Sequence, residues 1–216
     1  VIDLALDCAQ AVGLQTPTLD MSDARIVRGL LAGAPIDVSR IHALVEALAA
    51  KDLALVSELS ADLPSETRDG LHGLLRMYGG DEVLSVAEEL LPKRPLISAA
   101  LRDLRLLARH VREAYPEVRV GYDLADVGGY SYYSGARFAV YAAGSSDALL
   151  RGGRYDEVGA VFGRSRPAVG FSVVDLKELA ERAPVGRPTP VIRAPWSEDP
   201  GLRAAVRQLR QQGESV

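Results

Sequence analysis

The chain has 216 residues, of which 48% are hydrophobic and 25% are charged, and its formal net charge is -4. These values suit one large domain, or one domain with an appendage, and they allow a sizeable core. They exclude an overall basic field for nucleic acid, a bilayer-spanning apolar run and, with Cys8 as the single cysteine, an internal disulfide or a cysteine metal cluster.

The first 31 residues predict a helix, a strand and a second helix. Val1 to Val12 carries an apolar stripe at helical spacing that includes Cys8, so we expect that thiol to be plain core packing. Gly13 ends this helix. Thr16 to Met21 is a strand candidate, and Ser22 or Asp23 then caps a helix that runs to Leu31.

The stretch from Ile36 to Pro92 is rich in Ala and Leu and predicts four short helices. Their expected starts are Asp37 or Ser39, Asp52, the first turn at Pro64, and Asp81. Helices this short do not stand alone, so they should pack as a small bundle. Acidic residues outnumber basic ones here, which favours a protein-binding or structural bundle over a phosphate-binding surface.

The most regular helix runs from Leu96 to Tyr115, and Pro116 ends it. It carries a polar face of four arginines, which we expect to be solvated, with a subunit contact as the alternative: Arg102, Arg105, Arg109 and Arg112. Three histidines stand apart on helices and show no metal-ligand spacing, so we expect ordinary structural roles and no metal site: His42, His72 and His110.

Most tyrosines and many glycines of the chain lie between residues 128 and 177. Val118 to Leu124 and Ala136 to Tyr141 alternate as strands do, and Tyr130, Tyr132 and Tyr133 lie between them. A return strand starts at Ala148, and Gly152 with Gly153 interrupts it, which indicates a bulge or a close backbone approach. Aromatic rings facing glycine backbone form a slot for a small flat ligand, although such hairpins are equally common without a ligand.

The remaining residues predict two further pieces. Asp156 to Phe162 suggests a short helical turn. Arg164 and Arg166 suggest an exposed loop, with anion binding as the alternative. Ala168 to Val174 reads as a buried strand, and Asp175 caps a helix to Arg182. Ala183 to Pro190 has the composition of a linker. Val191 to Ala194 as a strand and Asp199 to Gln212 as a helix then look like the opening of an α/β unit.

Three stretches resemble histidyl-tRNA synthetase in order and spacing: Tyr132 to Gly135, Gly152 to Asp156, and Pro167 to Ser172. The resemblance implies an α+β fold, with an antiparallel sheet and flanking helices like the class II synthetase catalytic domain, and a helical insertion. It also implies a pocket like that for histidine, lined by Tyr130, Tyr132, Tyr133, Gly152, Gly153, Arg154 and Tyr155. In that pocket the tyrosines would bracket an imidazole, and Arg154 would either meet a carboxylate or brace the hairpin.

The chain departs from the synthetase at two cationic positions. Gly128 stands where the synthetase has an arginine that helps histidine attack ATP, and the segment Val173 to Leu179 offers at most Lys177 in place of an ATP-binding arginine. With both cations lost, adenylate chemistry is not expected and no cofactor is expected. The chain resembles instead the regulatory subunit of ATP phosphoribosyltransferase, the first enzyme of histidine biosynthesis. A true histidyl-tRNA synthetase, or a synthetase-like module with another partner, remains the alternative.

The resemblance also implies an organisation and a set of partners. Residues 1–35 and 95–182 would form the synthetase-like core, 36–94 the insertion, 183–190 the linker, and 191–216 the start of a C-terminal α/β segment. The earlier class II motifs are missing, so we expect a fragment. The expected partners are a short-form catalytic subunit, histidine, and a second copy of the chain within a hetero-oligomer. We expect no nucleic acid and no membrane as partners, and a cytoplasmic location.

Overall fold

The computed structural model describes residues 1–14, 16–145, 147–183 and 191–216, apart from the side chains of Val161 and Phe162. The chain divides into two compact units, Val1–Arg182 and Ala183–Val216. Nearly all of the predicted linker, residues 184–190, lies outside the described residues.

The first unit contains eight α-helices and six strands among the described residues. The helices are α1 Ile2–Ala11, α2 Ala24–Leu31, α3 Val38–Ala49, α4 Leu53–Ser60, α5 Ser65–Leu74, α6 Glu82–Leu90, α7 Pro95–Ala114 and α8 Leu176–Arg182. The strands are β1 Thr18–Asp23, β2 Tyr78–Gly79, β3 Arg119–Asp123, β4 Ala136–Tyr141, β5 Leu150–Arg154 and β6 Val169–Val173. A 3-10 helix, Asp156–Phe162, follows β5 as the sequence predicts. The second unit contains α9, Pro200–Gln211.

The six strands form one sheet in the order β2-β3-β1-β4-β5-β6. The β1 and β3 strands pair in parallel, and every other neighbouring pair is antiparallel. Parallel neighbours need a long crossover connection, and the helices α2 to α7 provide it between β1 and β3. The α+β fold class is confirmed, with one parallel pair inside a sheet that is otherwise antiparallel.

The sheet has one apolar face and one polar face because side chains alternate along each strand. On the apolar face Met21 lies opposite Tyr122 and Phe138, and all three are buried in the main core. The polar face contains two cross-strand rows, Gly121-Asp20-Ala139-Arg151-Ser172 and Ser22-Arg137-Gly153-Gly170. A row that combines charges with glycines leaves room above the sheet for a loop or a ligand.

The helical segment between β1 and β3 follows most of the predicted capping pattern. The carboxylates of Asp23, Asp37 and Asp52 accept backbone N–H bonds at the starts of α2, α3 and α4. Asp81 forms no such cap, because its carboxylate accepts hydrogen bonds from Arg112 and from the Tyr122 hydroxyl instead. The segment also contributes β2 to the sheet, and its apolar residues belong to the same core cluster as those of β1 and β4. The boundaries 36–94 of an insertion stay a prediction.

Two burial predictions are wrong. Cys8 is exposed, because α1 buries Ala5, Leu6 and Ala9 and turns the neighbouring stripe of Leu4 and Cys8 outward. The predicted buried strand at 168–174 exists as β6, but none of its residues is buried. It is the last strand of the described sheet, so only one of its edges has a neighbour.

Two predictions of strand continuity are also wrong. Gly152 and Gly153 do not interrupt a strand, since both lie inside β5 in continuous register with β4 and with β6. They allow a close approach instead, which was the other expectation for a glycine pair. Residues 191–194 form no strand, because their one backbone bond to the rest of the unit joins the Ile192 N–H to the Ser215 carbonyl.

Candidate ligand site on the polar face of the sheet

The tyrosine loop, residues 124–135, connects β3 to β4 and carries Tyr130, Tyr132 and Tyr133. A single guanidinium from α2 fastens it: Arg28 Nη2 donates to the Tyr130 carbonyl at 2.6 Å and to the Tyr133 carbonyl at 2.7 Å. The same guanidinium lies 4.8 Å from the centre of the Tyr130 ring, a cation–π distance. The loop is therefore held at its middle by the helix that follows β1.

Three tyrosines form an aromatic cluster at this end of the sheet. The rings of Tyr132 and Tyr133 meet edge to face at 5.1 Å, and those of Tyr132 and Tyr155 are tilted at 4.9 Å. Tyr132 is 46% exposed, so its ring borders solvent. Such pairs of rings add roughly 1 kcal/mol beyond their buried area, which stabilises the cluster without a ligand.

Two rings of the cluster lie directly on glycine backbone. A Cβ atom added to Gly153 would lie 2.8 Å from Cδ1 of Tyr133, and one added to Gly170 would collide with the Tyr155 hydroxyl. The close approach that the glycines permit is thus made by the rings of the chain itself. A flat ligand in this arrangement would contact the exposed face of Tyr132 rather than the glycines.

The predicted pocket residues divide between the two faces of the sheet. Gly152 faces the core, where an added Cβ would collide with Phe138 and Phe171. Arg154 shares this side: its Nε donates to Asp156 Oδ2 at 2.7 Å. Its side chain lines a cavity of about 470 Å³ together with α7 residues Leu106 and Leu107. Arg154 thus pairs with Asp156, and both of its expected roles stay predictions, while Gly153 with the tyrosines lies on the other face.

A buried cation beneath the tyrosine loop was missed in the sequence. Arg137 of β4 is only 4% exposed, and its Nη1 contacts Asp126 at 2.5 Å on the carboxylate and 2.6 Å on the carbonyl. Its guanidinium carbon lies 5.7 Å from the Tyr133 ring, and its Nε has no partner among the described residues. The alternation of β4 could have placed this arginine on the same face as the glycines.

Arg137 also lies close to Gly128, the residue predicted to stand where the synthetase has an arginine. A Cβ atom added to Gly128 would lie 3.7 Å from Nη1 and 3.8 Å from Nη2 of Arg137. Positive charge is thus present near Gly128, but a neighbouring strand supplies it and Asp126 neutralises it. A buried, paired guanidinium is not free to bind a phosphate oxygen.

Three carboxylates crowd the polar face beside this arginine: Asp20, Asp123 and Asp126. Burial, and then the charges of Asp123 and Asp126, raise the pKa of Asp20 to about 6. Lys51 pairs with Asp123 and Arg137 pairs with Asp126. Asp20 forms no ion pair within the described ranges. Its place in a strand of alternating apolar and polar residues is the feature that could have identified it.

The other candidates from the sequence carry no site of their own. His42 lies 3.2 Å from the Ser131 hydroxyl, and His72 lies 3.3 Å from that of Ser57. Arg164 and Arg166 are exposed, as expected for a loop. In the part of the chain that the structure describes, no group of three His, Cys, Asp or Glu could hold a metal, and no helix has the length and apolarity to cross a membrane.

The sheet, its flanking helices and the glycine-backed aromatic cluster define a class II aminoacyl-tRNA synthetase-like domain. One solved structure is described as an ATP phosphoribosyltransferase regulatory subunit/histidyl-tRNA synthetase from Bacillus halodurans. It aligns with the whole of this chain over 57% of its own chain, with a TM-score of 0.73 and 26% sequence identity. The chain belongs to the histidyl-tRNA synthetase family, whose model matches residues 1–179. A second model, for the C-terminal domain of the ATP phosphoribosyltransferase subunit HisZ, matches residues 189–216.

The curated relatives of the chain have a more specific name than the family as a whole. A protein named ATP phosphoribosyltransferase regulatory subunit, from Albidiferax ferrireducens, is 48% identical over all 216 residues. An ATP phosphoribosyl transferase complex from Thermotoga maritima shares the fold, with a TM-score of 0.60 at 19% identity over 80% of the chain. The chain spans about half the length of the curated relatives that it matches, 55% in the first case.

Proposed function

We propose that the chain is part of a regulatory subunit of ATP phosphoribosyltransferase. In this role the protein catalyses no step itself, assembles with a short-form catalytic subunit, and supports the first step of histidine biosynthesis. The observation that carries the proposal is the 48% identity, over the entire chain, to a protein named as this regulatory subunit. The match of residues 189–216 to the C-terminal domain of the same subunit type supports it independently.

The polar face supports a regulatory rather than a catalytic role. Gly128 is predicted to stand where the synthetase has an arginine, and the nearby Arg137 is buried and pairs with Asp126. A reaction that expels pyrophosphate needs cations directed at the developing charge. A paired guanidinium beneath a tyrosine ring does not meet that need, so ATP activation of histidine is disfavoured.

We further propose that histidine is the ligand of the aromatic cluster. The exposed face of Tyr132 offers a stacking surface for an imidazole. Feedback then requires that histidine binds the inhibited state of the complex more tightly than the active state. The homodimer within the hetero-oligomer belongs to the same proposal.

The test is a phosphoribosyl-ATP assay with the full-length protein and a short-form catalytic subunit. We expect activity only when both proteins are present, and loss of that activity as histidine is titrated. Tyr132→Ala, compared with the exposed control Trp196→Ala, should raise the half-inhibitory histidine concentration several-fold, since stacking contributes about 0.5 to 1.5 kcal/mol. If the protein leaves the activity of the catalytic subunit unchanged, the regulatory proposal is wrong.

A histidyl-tRNA synthetase is the second candidate, favoured by the family to which residues 1–179 belong. It predicts histidine-dependent exchange of pyrophosphate into ATP. The same full-length preparation can be assayed for that exchange, so one experiment separates the two functions.

A further inference from the structure

One residue outside the aromatic cluster ends a helix in a left-handed conformation. Lys51, just after α3, has a φ of +56°, the one non-glycine residue with positive φ within the described ranges. It closes α3 in a Schellman arrangement, in which the Lys51 N–H donates to the Leu48 carbonyl and the Asp52 N–H donates to the Ala47 carbonyl. Gly or Asn usually occupies this position, and here a lysine supplies a side chain that extends beyond the helix end.

The Lys51 side chain reaches from α3 to the end of β3. Its Nζ lies 2.5 Å from Asp123 Oδ1, and both side chains are largely withdrawn from solvent. The same ammonium lies 5.3 Å from the centre of the Tyr78 ring on β2. The left-handed turn at Lys51 thus directs a cation from the helical segment onto the polar face of the sheet.

Asp123 connects Lys51 to the start of the tyrosine loop. Its Oδ1, the atom that meets Lys51, also accepts the N–H groups of Ala125 at 3.0 Å and Asp126 at 3.2 Å. Asp126 in turn pairs with Arg137, whose guanidinium lies beneath the Tyr133 ring. An unbroken series of contacts therefore connects α3 to the ring that covers Gly153.

The same helix meets the loop a second time. His42, one turn into α3, lies 3.2 Å from the hydroxyl of Ser131, between Tyr130 and Tyr132. The α3 helix and the residue that ends it therefore contact this region at two places, Asp123 just before the tyrosine loop and Ser131 in its middle.

We propose that Lys51 is a positioning residue, which holds the tyrosine loop over the sheet through Asp123 and so couples the helical segment to the candidate ligand site. The coupling is a property of the fold, and only its effect on histidine rests on the proposed function. Any partner that shifts α3 would change the position of Tyr132 and Tyr133 through this contact.

The test measures hydrogen–deuterium exchange in the full-length protein. Lys51→Asn removes the cation but tolerates the left-handed backbone, Lys51→Arg restores the cation, and Lys177→Asn removes an exposed lysine elsewhere as the matched control. We expect amides of residues 125–134 to exchange about fivefold faster in Lys51→Asn, with α3 unchanged, and to return toward wild type in Lys51→Arg. Asp123→Asn keeps the acceptor for Ala125 and should match Lys51→Asn, with no added effect in the double variant.

The outcomes separate the two proposals. Unchanged exchange in the tyrosine loop of Lys51→Asn would overturn the positioning role, and so would faster exchange confined to α3, which a purely local structural role predicts. Calorimetric titration of histidine into the same proteins is the second readout, and a several-fold weaker affinity is expected for Lys51→Asn and Asp123→Asn but not for Lys51→Arg or Lys177→Asn. If wild type binds no histidine while exchange responds as expected, the ligand proposal fails and the positioning role stands.

Discussion

Asp20 is predicted to destabilise the folded protein at neutral pH, and Asp20→Asn should relieve that cost. Burial and the neighbouring carboxylates raise the pKa of Asp20 from its ordinary value near 4 to about 6. Two pH units correspond to roughly 2.7 kcal/mol. Since Asp20 is only partly buried, solvent screening reduces the expected gain in the free energy of unfolding to about 1 to 2 kcal/mol.

The sign of the pH dependence follows from proton binding. Between about pH 4 and pH 6 the folded protein holds a proton on Asp20 that the unfolded chain has released, so this group makes stability fall as pH rises. Its cost is complete above about pH 6 and absent below about pH 4. The stability difference between Asp20→Asn and wild type should therefore be largest near pH 7.5 and should shrink to zero toward pH 4.

Urea unfolding of the full-length protein, followed by far-ultraviolet circular dichroism at pH 4.5, 6 and 7.5, measures this difference. Asp69→Asn, which changes an exposed aspartate on α5, is the matched control and should be nearly neutral at every pH. An Asp20→Asn variant that is less stable than wild type at pH 7.5, or a gain that does not depend on pH, would refute the electrostatic reasoning. A confirmed gain would mean that the polar face keeps a costly charge, as ligand-binding faces do.

Three further predictions concern the same face. Gly153→Ala should cost about 2 to 3 kcal/mol in urea unfolding, because the new Cβ would lie 2.7 Å from the Ala136 carbonyl and 2.8 Å from Cδ1 of Tyr133, whereas Gly201→Ala at the start of α9 should be neutral. A Gly153→Ala variant as stable as wild type would contradict the close ring packing. Arg137→Met should cost about 3 kcal/mol by the same measurement, since it leaves the Asp126 carboxylate unpaired, and adding Asp126→Asn should recover part of the loss. If the double variant is no more stable than Arg137→Met, the ion pair is not the cause. Gly128→Arg should not restore tRNA charging, because the new side chain starts beside the Arg137 guanidinium and a second synthetase arginine is also predicted to be absent. Histidine-dependent aminoacylation in that variant would refute this.

Local chemistry in the sequence was enough to predict most elements and their order. Aspartates followed by apolar periodicity predicted the starts of α2, α3 and α4, and each carboxylate accepts the expected backbone bond. The glycine and tyrosine stretches carried the resemblance to the synthetase family, which the family model then matched. These successes share a cause, since caps, helical stripes and motif spacing depend on residues that are near one another in the chain.

The wrong predictions concern which side of a helix is buried and which partner a side chain binds. The stripe with Cys8 is as apolar as its neighbour, and only the packing of α1 decided that Ala5, Leu6 and Ala9 would be buried. Asp81 looks like a cap, yet Arg112 and Tyr122, which lie far away in sequence, take its carboxylate. Competition between a local and a distant partner cannot be judged from local spacing.

The sequence by itself determined the fold class, the family and the residue types at the polar face, because these follow from local propensity and from motifs in order. Only the tertiary structure decided that Gly152 and Gly153 lie in an uninterrupted strand, and that the Tyr133 ring covers Gly153. It also decided that Arg137 lies beside Gly128, and that Lys51 meets Asp123 across 72 residues. Strand register and the crossover through α2 to α7 fix these contacts, and both are set by packing of the whole sheet rather than by any one segment.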